Sequence, residues 1–289
     1  MRIGNRQVGG DAPCYIVAEI GINHNGDIDT ALRMIDAAEA AGVDAVKFQK
    51  RTIDLVYTPE ELAQPRESPF GHTNGDLKRG LEFSERQYGV IAHYARRRGI
   101  AWFASAWDLD SVSFLNRFEV PAHKVASAKL TDDALIRKMA KHGRPVIVST
   151  GMSTLQEVHH VWCLLTDCGI FCVVLLVCTA SYPAAITDLH LERIRTLYDA
   201  YESDYTTIGY SGHEVGVWTT LCAVAMGAKI VERHLTLDRS MWGSDQAASL
   251  EPTAFAKLVR EIRDFERARG SGELRCLPCE EPQKAKLRK

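Results

Sequence analysis

Short apolar runs of β character alternate along this chain with longer stretches of helical period, and the alternation repeats eight times. The runs predict strands at 15–19, 45–48, 101–104, 122–125, 145–148, 172–177, 207–209 and 229–232. The longer stretches predict helices at 28–41, 85–97, 109–118, 132–142, 155–167, 189–201, 216–226 and 252–268. Gly42, Gly99, Gly143, Gly169 and Gly227 fall just past five of those helices, where a left-handed residue closes the last turn. Eight such units predict an α/β fold, a single-domain (β/α)8 TIM barrel over residues 1–268, with a polar tail at 269–289 expected to fray in solvent. The longest insertion, 51–84, follows the second strand, and its Pro, Gly, Asn and Asp content suits an ordered loop acting as a lid.

Composition agrees with one large soluble unit. The length of 289 residues exceeds an ordinary domain, and the barrel is the architecture that routinely carries it undivided. Hydrophobic residues at 46% and charged residues at 25% exclude disorder and a disulfide miniprotein. A net charge of -2 leaves no field to gather nucleic acid or anionic lipid, so any anion must be held locally. No signal-like apolar core starts the chain, and no run reaches the roughly 18 apolar residues of a membrane span. Eight scattered cysteines read as reduced thiols, and a cytoplasmic location is expected. Cys276 and Cys279 have CxxC spacing but lack the second pair of a structural zinc site. Asp27 stands where the glycines at 21–26 would need a P-loop lysine, and neither GxGxxG nor GxSxG occurs.

A TIM barrel works at the C-terminal ends of its strands, and the residues there are chemically reactive types. They are Glu19, Lys47 with Gln49, Ser105, Lys124 with Ser127, Ser149, Tyr182, Ser211 with His213, and His234. Lysine is seldom buried without a partner, so two lysines ending apolar strands point to function more than to packing. With the serines they would cradle a phosphate and a carboxylate, which implies a small, multiply anionic ligand. A strand-end lysine could instead form a Schiff base. His213 and His234 could bind a divalent metal through neutral imidazole, with Glu19, substrate oxygens or water completing the shell. His159 and His160 lie in an expected helix and read as surface or capping groups, whereas His24 and Asn25 stay open as site residues.

The same residues lie in ordered motifs: AEIGINHNGD at 18–27, VKFQ at 46–49, SPFGHTNGDLKRGLEF at 68–83, STGM at 149–152, CTASYP at 178–183, GYSGH at 209–213 and VERHLTLDRSMWGSDQAASLEP at 231–252. Through them nearly the whole chain resembles the N-acetylneuraminate (sialic acid) synthase family of phosphoenolpyruvate-condensing enzymes. The resemblance implies that Lys47, Lys124, Ser127, Ser149 and Ser211 contact phosphoenolpyruvate, with Ser105 a further contact. It implies that Gln49, Tyr182 and Asp245 hold the acceptor sugar, and that His213 and His234 carry manganese, with magnesium or cobalt as alternatives. In such enzymes C3 of phosphoenolpyruvate attacks an open-chain aldehyde, water adds at C2, and phosphate leaves by C–O cleavage. Glu19 is expected to take or relay a proton during water attack.

The chain departs from the family pattern at Val177, where the usual motif has His, at Ala180 in place of a polar residue, and at Ala106 in place of a frequent Pro. These positions lie toward the acceptor side. The resemblance does not extend to the antifreeze-like domain that usually follows the barrel, and the acceptor pocket is expected to be self-sufficient, open to a smaller or different sugar, or dependent on a separate partner. A homodimer is expected by family analogy. The resulting expectation is a metal-dependent condensation of phosphoenolpyruvate with a hexose or N-acylated amino sugar, giving a 3-deoxy-2-ulosonic acid. Its rivals are a Schiff-base pyruvate aldolase and a non-catalytic barrel that binds a sugar acid or scaffolds a complex.

Overall fold

In the computed structural model, which describes residues 1–288, eight parallel strands close into one barrel. They are β1 (Tyr15–Gly21), β2 (Ala45–Lys50), β3 (Ala101–Ala106), β4 (His123–Val125), β5 (Val146–Ser149), β6 (Val173–Cys178), β7 (Thr206–Gly212) and β8 (Ile230–His234). Each strand pairs with its neighbours in the chain, and β8 returns to β1. The helices that follow them are α1 (Ile28–Ala41), α2 (Glu85–Arg98), α3 (Leu109–Asn116), α4 (Asp133–Ala140), α5 (Leu155–Asp167), α6 (Arg193–Tyr201), α7 (Trp218–Ala225) and α8 (Pro252–Ala268). Every residue of β1, β6, β7 and β8 is buried, as expected for strands with the barrel interior on one face and helices on the other. The expected single barrel is therefore the fold. Among the described residues, no helix is long and apolar enough to cross a membrane.

Local chemistry sets the joints. The Asp27 carboxylate accepts a hydrogen bond from the Thr30 N–H and opens α1, whose Ala31, Met34, Ile35 and Ala38 recur at helical spacing on the buried face. Gly42 ends it at φ 82°, donating its N–H to the carbonyls of Ala38 and Glu39.

Four features differ from the sequence expectation. β7 continues to Gly212, three residues past its apolar run, because Tyr210 and Ser211 find buried polar partners in Glu214 and Glu232. An N-terminal hairpin, Arg2–Ile3 with Arg6–Gln7, precedes the barrel and sends Ile3 into the common core. Two-residue strands carry too little periodicity to be read. The expected loop at 51–84 is a folded insertion with short helices at Ile53–Val56, Pro59–Ala63 and Asn74–Leu81 and a hairpin between Pro65–Ser68 and Gly71–Thr73. A buried Lys50–Glu82 ion pair at 2.6 Å ties its two ends together. At 281–287 the tail, expected to fray, forms a short exposed helix.

One buried ion pair bolts β8 to the loop after β7. Arg233 and Glu214 meet at 3.0 Å with both side chains wholly buried. Arg233 also donates to the Gly216 carbonyl and the Thr220 hydroxyl, while Thr219 and Tyr210 donate to the Glu214 carboxylate. Burial opposes ionisation of Glu214, but Arg233 and these donors outweigh it and hold the carboxyl below its usual range. The pair flanks His213 and His234 in sequence, so it fixes the backbone from which both imidazoles project. Arg233→Met, which strands the carboxylate, should lower stability by roughly 3–5 kcal/mol in urea denaturation, and adding Glu214→Gln should recover part of that loss. Unchanged stability in the single variant would show that the pair does not hold this joint.

Candidate active site

Parallel register brings most of the expected residues to neighbouring levels at one end of the barrel. Glu19 lies opposite His234 on one side and Lys47 on the other, Gln49 opposite Ser105, Ser105 opposite Lys124, and Ser211 opposite Glu232. The side chains then form a continuous polar network at the mouth. Lys47 Nζ lies 2.9 Å from Glu19 Oε2, 3.1 Å from Ser105 Oγ and 3.5 Å from Glu232 Oε1. Lys124 Nζ donates to Ser149 Oγ at 2.6 Å and sits 3.9 Å from Glu232 Oε1. Ser211 Oγ donates to the same Glu232 oxygen at 3.2 Å, and Gln49 Nε2 donates to Glu19 Oε1 at 3.1 Å.

Glu232 was not among the expected site residues, yet it stands between both lysines. The signal was present: it precedes His234 by two positions, so strand alternation puts both on the same face. The lysines are therefore charge-compensated rather than free. Burial opposes the charge on Lys47, but Glu19 and Glu232 outweigh it and raise its pKa. Burial likewise opposes ionisation of Glu232, and Lys124 and Lys47 overcome it and keep the group an anion. Glu19 goes the other way: burial, helped by Glu232, lifts its carboxyl above the usual range despite Lys47. Lys124 is less well compensated, and burial brings its ammonium down to about 8.

The two histidines lie beside this network with ring centroids 5.3 Å apart. His213 Nδ1 must donate to the Thr179 carbonyl, 2.8 Å away, which leaves Nε2 as the ring nitrogen open to a ligand. His234 is buried, its Nδ1 has no hydrogen-bond partner, and burial lowers its pKa, so it is a neutral imidazole. Two nearby imidazoles, each with a ring nitrogen free of protein hydrogen bonds, fit a divalent cation whose other positions are filled by substrate or water. Among the described residues no cluster of three or more His, Cys, Asp or Glu side chains is arranged for a metal. Tyr182, half exposed, packs its ring 4.1 Å from that of His213, and Asp245 Oδ2 lies 3.8 Å from His234 Nδ1.

Two expected residues stand apart from the lysines. Ser127 Oγ accepts from the Gly151 N–H at 3.1 Å and lies 3.8 Å from the buried Cys178 thiol, with neither lysine bonded to it. His24 belongs to the core: it stacks on Phe83 at 4.0 Å, accepts from the Gly26 N–H, and is driven by burial to a pKa of about 3. His160 is exposed against Asp133, in keeping with a surface role.

Residues 34–274 match the model of the NeuB family. Human N-acetylneuraminate-9-phosphate synthase is 43% identical over 287 residues, covering 98% of this chain and 79% of the human protein. The chain belongs to the NeuB family. The N,N'-diacetyllegionaminic acid synthase of Legionella pneumophila is 35% identical over 302 residues, covering 99% of this chain and 83% of that protein. The crystal structure of a sialic acid synthetase from Leptospira borgpetersenii superposes with a TM-score of 0.86 at 31% identity, covering 100% of this chain and 97% of that one. This chain is thus a sialic acid synthase-like enzyme on a NeuB-family barrel.

The charge arrangement makes a pH prediction for this NeuB-family site. Glu232 raises the pKa of Lys124, so Glu232→Gln should lower the pH at which that ammonium is lost from its present value of about 8. Sulfate keeps its own charge through this range, and calorimetric titration with it should show affinity falling at a lower pH in the variant. An unmoved profile would mean that Glu232 does not control Lys124.

Proposed function

We propose that the chain condenses phosphoenolpyruvate with an aldose, a hexose or N-acylated amino sugar, to give a 3-deoxy-2-ulosonic acid and phosphate. The observation that carries this reading is the pair of buried ammoniums, each beside a serine hydroxyl, flanking one carboxylate at the barrel mouth. Phosphoenolpyruvate presents a carboxylate and a phosphate, and each lysine can take one of them. The names of the relatives supply the product class: N-acetylneuraminate-9-phosphate and N,N'-diacetyllegionaminic acid.

An incoming polyanion raises the negative charge beside Glu19 and Glu232. Glu19, whose carboxyl already sits above its usual range, takes up a proton, and Lys47 turns from it to the ligand. C3 of phosphoenolpyruvate then forms the new bond to the aldehyde carbon, and the aldehyde oxygen takes a proton to become a hydroxyl. Glu19, returned to carboxylate, accepts a proton from the water that adds at C2. The bond from C2 to the phosphate-bearing oxygen then breaks, and the departing phosphate takes the proton of the new C2 hydroxyl, which becomes the ketone. Gln49, bonded to Glu19, and Tyr182, packed on His213, border the space the aldose would occupy. A divalent cation, manganese first, would be held by His213 and His234 and supplies Lewis-acid polarisation of the aldehyde when bound.

A phosphate-release assay over a panel of aldoses tests the reading. Release should require both phosphoenolpyruvate and an aldose, stop on chelation and return with manganese. Lys47→Met should lower kcat/KM for phosphoenolpyruvate by roughly 10²-fold, the scale of losing one electrostatic contact at a reacting group. Wild-type kcat/KM should fall as pH rises through about 8, where Lys124 loses its charge. Borohydride trapping of pyruvate on a lysine, with no phosphate release from any aldose, would support the Schiff-base aldolase instead. Full activity of His213→Ala in chelator would remove the metal from the mechanism.

A further inference from the structure

The tail past α8 carries a cysteine pair for which the barrel mouth has no use. α8 ends at the barrel floor: Arg263 pairs with Asp44 at 3.3 Å, immediately before β2, and donates to the Cys14 carbonyl just ahead of β1. The tail therefore leaves from the end opposite the mouth. Among the described residues, every hydrogen bond and ion pair formed past Gly270 stays within the tail. Leu274, Leu277 and Leu287 are exposed on it, with no core to enter.

Within this tail the run Cys276, Leu277, Pro278, Cys279 is folded into a turn. The Glu280 N–H donates to the Leu277 carbonyl at 2.8 Å, and the Leu277 N–H donates to the Glu280 carboxylate at 2.7 Å. Pro278 fixes its own φ inside that turn. Both cysteines are thus held on one short loop ahead of the helix at 281–287, and both are exposed free thiols. Thiols at CxxC spacing chelate one soft divalent cation, and a structural site for such a cation is tetrahedral, closed by four ligands. Among the described residues, no third His, Cys, Asp or Glu side chain joins this pair. Cys14 and Cys178 are buried in the barrel, and Cys168 lies at the end of α5, 3.8 Å from Arg137 Nη1. The chain presents half of a closed site.

We propose that Cys276 and Cys279 bind a cation of the zinc type as a tetrathiolate shared between two copies of this chain, joining them tail to tail. A second copy supplies an identical pair on an identical turn, which is the self-complementary match a two-fold contact requires. Each thiol gives its proton to solvent as its sulfur bonds the metal, and nothing is oxidised or reduced. Laid together, the two tails also bring the exposed leucines of each against those of the other. The clasp sits at the floor side, so both barrel mouths stay open, and it does not depend on the condensation reading.

The test compares the full chain, reduced with a phosphine and stripped of metal, with the double variant Cys276→Ser, Cys279→Ser, after equilibration with zinc and removal of the unbound ion. The wild type should retain about half a zinc per chain more than the variant, the ratio of one ion to two cysteine pairs. Taking the difference cancels any zinc held at His213 and His234, and the substitutions lie outside the barrel, so its folding is not at stake. Cobalt in place of zinc should give the wild type a thiolate-to-cobalt charge-transfer absorption with the intensity of about four thiolates per tail-bound ion, absent from the variant. Equal metal content in the two proteins would overturn the site. About one additional ion per chain, with only two thiolates on each cobalt, would overturn its sharing between copies.

Discussion

Two ammonium groups and two carboxylates share the barrel mouth, and none of the four could remain charged there alone. Burying an isolated charge costs several kcal/mol even after relaxation, so Lys47 and Lys124 depend on Glu232 between them and on Glu19 beside Lys47. The closed sheet makes this arrangement rigid. Parallel register fixes the height of each side chain, and the Arg233–Glu214 pair locks the joint from which both histidines project. The balance is uneven by design of position: Glu232 faces both lysines and stays ionised, whereas Glu19 faces one and is drawn toward its neutral form. On the proposed reading, a site built this way would answer an incoming anion by moving a proton.

That coupling links charge to chemistry. A proton taken up at Glu19 when a polyanion binds sits next to Gln49 and opposite His234 in register, on the side where a second substrate would lie. It is available there for an oxygen that gains negative charge, and the same carboxylate can later collect a proton from water. On the proposed reading one residue would serve both binding and proton transfer, because its buried environment raises its carboxyl toward the neutral range.

Much of this was legible in the sequence. Eight apolar runs predicted eight barrel strands because a fully buried parallel strand must be apolar on both faces, and the polar residues ending those runs marked the mouth. Glu232 is harder to see because it ends an expected strand, although its spacing from His234 places both on one face. His24 misled in the other direction: it follows a reactive motif, but its ring is stacked on Phe83, a contact made across the insertion that local sequence cannot show. The insertion itself read as a loop because its helices and strands are each too short for periodicity, and capping boxes at Thr58 and Thr73 with a closing Lys50–Glu82 pair give it order instead.

If the lysine network serves attack of water at C2 of phosphoenolpyruvate, the C–O bond breaks and the bridging oxygen leaves with phosphate. Phosphoenolpyruvate labelled with oxygen-18 at that bridging position, turned over with an accepted aldose, reports this directly by mass spectrometry of the released phosphate. The released phosphate should carry the label. Unlabelled phosphate would mean cleavage at phosphorus and would contradict it.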